Sequence, residues 1–175
     1  MRDTTADRDE THGHDPWLVL KTRSRHENIV ETSLRQKRID AYLPRRNVLR
    51  QWKGKRRVVA LPLFPGYVFV RPTVDQFENI RHIRGACGLV LSGTRPATMQ
   101  DGDLDAVKIL VDSGAELRVD PQLMPGQRVK IVSGPFAGAC GELVRARSRE
   151  RLVINVEWLA SSVSVEVDAE AVTML

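Results

Sequence analysis

The run Pro62-Leu63-Phe64-Pro65-Gly66-Tyr67-Val68-Phe69-Val70 constrains the fold of this chain more than any other part of it. Pro fixes φ and Gly admits positive φ, so the Pro65-Gly66 step predicts a sharp reversal. The four residues that follow alternate aromatic and β-branched side chains, the pattern of a strand that is buried on both faces or aromatic on one. Phe64, Tyr67 and Phe69 hold much of an aromatic stock of four Phe, two Tyr and three Trp, and the turn brings Phe64 beside the strand that carries the other two. Aromatics gathered on a sheet face form either a core or a docking surface, and composition alone favours the core.

At 175 residues the chain suits one domain or two small ones, each long enough to bury a core. Hydrophobic content of 42% with 28% charged residues reads as soluble and globular, and no apolar run approaches the roughly 18 residues of a membrane span. Residues 1–15 have almost no apolar side chain, which predicts a disordered tail rather than a signal peptide and points to the cytoplasm. Cys87 and Cys140 are then expected to be reduced thiols, and two lone cysteines do not make a zinc site of the usual spacing. His12 and His14 fall in the tail, where weak chelation is the minor reading. No metal or cofactor is expected.

The net charge of +5 is unevenly spread. Residues 17–95 carry 17 Lys+Arg against 5 Asp+Glu, residues 96–124 carry 2 against 6, and residues 125–175 balance at 6 and 6. A basic first half, an acidic connection and a neutral second half argue for two units with different partners. The densest stretch, Arg45 to Arg57, has seven Lys/Arg and no acid, with Trp52 and Gly54 interleaved. A polyanion, nucleic acid before a membrane surface, is the natural partner. The alternative is a solvated hairpin whose charges protect its edge.

Along the chain, Trp17–Thr22 reads as a first strand, nearly all apolar and hence central. Ser24-Arg25-His26-Glu27 fits a Ser-x-x-Glu capping box at the start of a helix reaching about Arg38. A second strand, Ile39–Leu43, closes at Pro44. A basic hairpin follows, with arms near 47–52 and 56–61 and its turn at Lys53-Gly54-Lys55. After the aromatic strand 67–71 come a short helix near Val74–Ile80, a strand at Leu89–Leu91, and a helix from about Thr98 to Gly114. These elements predict an α/β sandwich over 16–114, helices on an antiparallel sheet. Residues 115–124, acidic and proline-bearing, read as a linker too polar to hold the two units together. From 125 to 175 the grammar changes to five short strands at 126–131, 139–146, 151–157, 163–167 and 171–174, a small β-barrel of the kind that binds partners. The overall fold class is α+β.

Two passages, Trp17–Leu34 and Pro62–Val70, make residues 17–113 resemble the NGN domain of the NusG family of transcription elongation factors. Residues 125–175 resemble a KOW domain, an SH3-like barrel, through Gly126-x-Arg128-Val129-x-Ile131-x-x-Gly134-Pro135-Phe136-x-Gly138-x-x-Gly141. The resemblance implies binding to the clamp of RNA polymerase, through an apolar concavity that includes the aromatic strand. Phe64, Tyr67 and Phe69 become polymerase-contact candidates, with Leu20 and Lys21 nearby. It also places the exposed face of the first helix beside the displaced non-template DNA strand, with Ser33, Gln36 and Lys37 on that face and Arg23 and Arg25 at its N-terminal end as candidates. His82 falls in the loop that faces the opposite jaw of the polymerase in the family.

The Pro62-Leu63-Phe64-Pro65 form and Phe69 resemble specialised, operon-specific paralogues of the RfaH kind, found with polysaccharide clusters, more than the general factor. On the loop where the general factor has Phe-Gly-Arg, used for Rho or a small-subunit ribosomal protein, this chain has Leu159-Ala160-Ser161. That departure puts cooperation with Rho in doubt and leaves a ribosomal partner of the KOW half open. The Gly and Pro of 134–141 and the valines of the later strands oppose a helical form of this half, so a permanent barrel is expected. The protein is expected to be a monomer that does not act on a membrane. An enzyme reading finds no carboxylate pair, nucleophile-base set or phosphate-cradling Gly-Lys-Ser/Thr to carry it. The alternatives are a general NusG factor and a KOW-type ribosomal or RNA-binding protein.

Overall fold

The computed structural model describes residues 15–146 and 149–175; the expected tail, with His12 and His14, lies outside them. Strand β1 (Trp17–Thr22) leads into helix α1 (Glu27–Gln36), then β2 (Asp40–Tyr42) and a hairpin of β3 (Arg45–Trp52) and β4 (Lys55–Pro62). Strand β5 (Tyr67–Arg71) is followed by a single 3-10 turn and the short helix α2 (Phe77–Arg81). Next come β6 (Ala86–Leu89), the small hairpin β7 (Leu91–Ser92) and β8 (Arg95–Pro96), β9 (Thr98–Met99) and helix α3 (Asp101–Asp112).

The first sheet runs β2-β5-β1-β6, with β9 added to β1, and the pairs given for it are antiparallel. Because β1 and β5 are central, their alternate residues must be covered on both sides. On one side Leu18, Leu20, Val68 and Val70 pack with Val30 and Leu34 of α1 and Ile80 of α2. On the other, Trp17, Val19 and Phe69 belong to a cluster with Leu104, Val107 and Leu110 of α3. The helices therefore sandwich the sheet instead of sharing one face.

The capping box expected at Ser24 does not form. Helix α1 starts at Glu27, its cap residue His26 makes no side-chain cap bond, and Arg25 sits in the left-handed region at φ 63°. The Glu27 carboxylate instead accepts the Gly66 backbone N–H at 2.7 Å. A local motif lost its acid to a partner brought close by tertiary structure. A reciprocal box does form at Thr73 and Gln76, ahead of α2.

The second half is a six-stranded antiparallel sheet in the order β10-β14-β13-β12-β11-β15. Its strands are β10 (Arg118–Asp120), β11 (Gln127–Ile131), β12 (Cys140–Ala146), β13 (Arg149–Val156), β14 (Ser161–Glu166) and β15 (Val172–Met174). Five were expected. The sixth, β10, comes from the stretch read as a linker, where Val119 pairs with Val163 and Leu117 is buried. Asn155 then holds the crossing chain by bonding both the N–H and the carbonyl of Met124.

The halves share one apolar cluster, which runs from Val19 and Phe69 through α3 to Val129, Ile131, Leu152 and Ile154. The polar 115–124 stretch was expected to leave them apart. The packing is supplied by α3, whose apolar residues serve both neighbours.

Candidate functional site

The register Leu18↔Val70, Val19↔Phe69, Leu20↔Val68, Lys21↔Tyr67 decides which aromatic-strand candidates stand together. Side chains alternate between faces, so Lys21, Tyr67 and Phe69 share one face and Leu20 takes the other. Leu20 is fully buried beneath α1, in the cluster with Val30 and Leu34. The expected role of Leu20 beside the contact residues is thereby corrected: in this register it is core.

On the shared face Phe69 has no exposed surface and Phe64 is 4% exposed. Their rings meet edge to face, centroids 6.0 Å apart at 86°, an arrangement that suits the ring quadrupoles. Tyr67 is half-buried and Lys21 exposed, so these two form the accessible margin of a patch whose aromatic floor is Phe64 and Phe69. The Pro65-Gly66 reversal that sets Phe64 there is held at both sides of Gly66. Its carbonyl accepts from Thr22 N at 2.8 Å, its N–H donates to Glu27, and its φ of 88° suits glycine.

Farther along this face Trp17 lies under two cations, the Arg71 guanidinium at 4.9 Å and the Lys108 ammonium at 5.3 Å from the ring centre. Tyr42, opposite Phe69 in β2, has a buried hydroxyl without a hydrogen-bond partner among the described residues. Burial, and next the Asp112 carboxylate, push the phenol up to about 12. Neither Trp17 nor Tyr42 was singled out from sequence. Their place on the aromatic face follows from the period-2 rule applied to β1 and β2.

The α1 candidates fall into two groups. Arg23 and Arg25 are exposed at the approach to the helix, and Gln36 and Lys37 are exposed at its far end. A ten-residue helix separates them, about 15 Å at 1.5 Å per residue. Ser33 is half-buried, and its hydroxyl donates to the Ile29 carbonyl at 2.8 Å. The inner face carries Glu31, bridged to Arg35 and Arg45. His82 is exposed, and His26 Nδ1 lies 2.9 Å from the Ser24 carbonyl.

In the second half, Leu159 is half-buried, Ala160 adopts φ 46° and Ser161 opens β14, its hydroxyl donating to the Leu159 carbonyl. The neighbouring Trp158 donates its indole N–H to the Thr98 carbonyl at 2.8 Å, tying this loop to the first half. Nearby Arg128 lies 3.7 Å from Asp103 of α3 and 3.8 Å from Glu142. Burial raises the Asp103 carboxyl above its ordinary value despite the attraction of Arg128, and Glu157 and Glu142 add to the rise. Trp158 is the residue that sequence reasoning passed over. A lone indole just past the end of a strand was its only signal.

A helix-sandwiched antiparallel sheet with a projecting hairpin, joined to a unit built on a second antiparallel sheet, defines a class of two-part α+β proteins whose candidate residues make surfaces. A family model described as "Transcription termination factor nusG" matches residues 15–108, more than half of the chain. The chain belongs to the NusG family. It is 30% identical over 176 residues to the transcription termination/antitermination protein NusG of Treponema pallidum, an alignment covering 86% of this chain and 94% of that one. Its counterpart in Halalkalibacterium halodurans is 27% identical over 168 residues, covering 87% of this chain and 94% of that one. Among solved structures, "Domain interaction in Thermotoga maritima NusG" superposes with a TM-score of 0.51 at 22% identity, over 91% of this chain and 97% of that one. That likeness shows a shared fold. Among the described residues no helix is long and apolar enough to cross a membrane.

Proposed function

We propose that the chain is a transcription elongation and antitermination factor that binds RNA polymerase through its first half. The relatives' names support the transcription role. The observation that carries the binding surface is the Lys21–Tyr67 margin over the edge-to-face Phe64–Phe69 pair. A rigid aromatic floor lets Tyr67 contribute desolvated area with little loss of side-chain entropy. Phe64 and Phe69 shape the patch from below. Arg23, Arg25 and Lys37 supply phosphate attraction toward the non-template strand, and Gln36 offers its amide to an unpaired base.

The second half is a KOW-type unit whose partner loop is Leu159-Ala160-Ser161. Trp158 beside that loop is engaged within the chain, through its hydrogen bond to Thr98. The Pro62-Leu63-Phe64-Pro65 form with Phe69, and Leu159-Ala160-Ser161 in place of Phe-Gly-Arg, favour a specialised, operon-specific role. The relatives, each named NusG at 27–30% identity, favour the general one. Gene deletion followed by RNA sequencing separates the two, since the specialised reading expects downstream loss confined to a few long operons. For the surface itself, Tyr67→Ala and Lys21→Glu are expected to weaken binding of the full chain to core RNA polymerase while circular dichroism stays native. Unchanged affinity in both variants would overturn the surface.

A further inference from the structure

Glu27 opens α1 at 6% exposure, and among the described residues it forms no ion pair. A carboxylate kept under cover without a cation is costly unless its oxygens accept hydrogen bonds. This one gains from the helix N-terminus and from the Gly66 N–H at 2.7 Å. That N–H belongs to the middle peptide of a turn, in which the Tyr67 N–H donates to the Phe64 carbonyl at 3.2 Å across Pro65 and Gly66. Proline at the first central position and a glycine at φ 88° at the second make the type II form. Turning the Pro65–Gly66 peptide over gives type I, with negative φ at the second position, and glycine accommodates both signs. The two forms point the Gly66 N–H to opposite sides, so an acceptor on one side selects between them.

We infer that Glu27 is a positioning residue, one that selects the form of the Phe64–Tyr67 turn and so sets the polymerase-facing aromatics. The carboxylate is the fixed member of the pair. Val30 and Leu34 anchor α1 with no exposed surface. The approach to the helix is pinned on its other flank, where the Arg23 N–H donates to the Gly85 carbonyl at 2.8 Å. A Cβ on Gly85 would stand 2.8 Å from that of His26, so the two segments touch there. The turn is the member with a choice. It is flanked by Phe64 of the floor and Tyr67 of the margin, and a turned peptide changes the angle at which they meet. Glu31, one helical turn on, is equally buried but is engaged by Arg35 and Arg45. The role toward polymerase rests on the surface proposed above, whereas the bond to Gly66 is read in the chain alone.

Two measurements on the full chain test this role: hydrogen exchange of the Gly66 amide, and affinity for core RNA polymerase. Glu27→Ala, and Glu27→Met, which fills the space without such an acceptor, are expected to speed Gly66 exchange and weaken polymerase binding at least about tenfold. Glu27→Gln keeps an oxygen that accepts the Gly66 N–H, so it should retain protection and hold affinity within about threefold of the native chain. Glu31→Ala removes a buried acid of the same helix. It should lower the urea midpoint yet leave Gly66 protected and polymerase affinity within about threefold. In a Tyr67→Ala background, Glu27→Met should add less than about twofold, because both changes act on one surface. Native Gly66 exchange in Glu27→Met, or equal affinity loss in Glu27→Gln or Glu31→Ala, would overturn the role. So would fast exchange with unchanged affinity in a chain that Tyr67→Ala weakens. If Tyr67→Ala binds polymerase as tightly as the native chain, the surface itself falls, and Gly66 exchange alone then decides whether Glu27 holds the turn.

Discussion

Strands β4 and β5 are separated by four residues and treat their apolar side chains in opposite ways. In β4, Val58 is 66% exposed, whereas Val68, Phe69 and Val70 of β5 have no exposed surface. Both strands are rich in β-branched residues, and both follow a turn built on glycine. The difference lies in neighbours: β5 has a strand on each side and helices over each face, while β4 has a single partner and no layer against it. Burial is therefore a property of the layer a strand enters, and hydrophobicity alone does not provide it. The hairpin keeps its aromatic and cations available, and the sheet uses its aromatics to build a floor.

The strongest way to break this contrast is Phe69→Ala. A filled aromatic core position predicts a stability loss of about 3–5 kcal/mol, read as a lower urea midpoint. If stability holds and only polymerase binding falls, the floor is a contact surface after all. Tyr67→Ala comes next, expected to reduce polymerase affinity by about 2 kcal/mol, roughly thirtyfold, with a smaller effect on folding. Trp158→Ala removes the hydrogen bond to Thr98 and should cost about 1 kcal/mol, detected as faster proteolysis near residues 113–117. On the exposed side of the comparison, Trp52→Ala should change stability by no more than about 0.5 kcal/mol.

The smallest effect is one of pH. Asp103 has its carboxyl raised from the ordinary 3.8, so the folded state holds that proton more tightly than the unfolded chain. Its contribution is present below the ordinary value and is lost as pH rises through the raised one. Asp103→Asn should flatten stability against pH in that window. A native chain that gains stability from Asp103 as pH rises there would show that the Arg128 attraction outweighs burial.

Much of the first sheet was legible because alternation and helical spacing are local signals. Strand β5, the turn at Lys53-Gly54 and helix α3 lie close to where the residues predict them. What escaped depended on distant partners. Glu27 looked like a capping acid, but its carboxylate goes to a turn 39 residues away. Leu20 looked adjacent to the aromatic patch, but register turns it to the opposite face. The second sheet's strands were visible as valine-rich alternation, whereas β10 was hidden among the charges of Arg118 and Asp120, with Val119 its only apolar residue.

The placement of β10 also governs how this molecule can be dissected. A fragment begun at residue 125 removes the outer neighbour of β14 and leaves the donors and acceptors of Ser162–Ser164 unpaired along an open edge. Such an edge is a template for recruitment. In a mixture of fragment and intact chain, the 118–120 segment of one molecule can complete the sheet of another, giving exchanged dimers whose strand pairing is native but whose connectivity is not. A dissected second half keeps the outer neighbour of β14 only when the cut falls before Leu117.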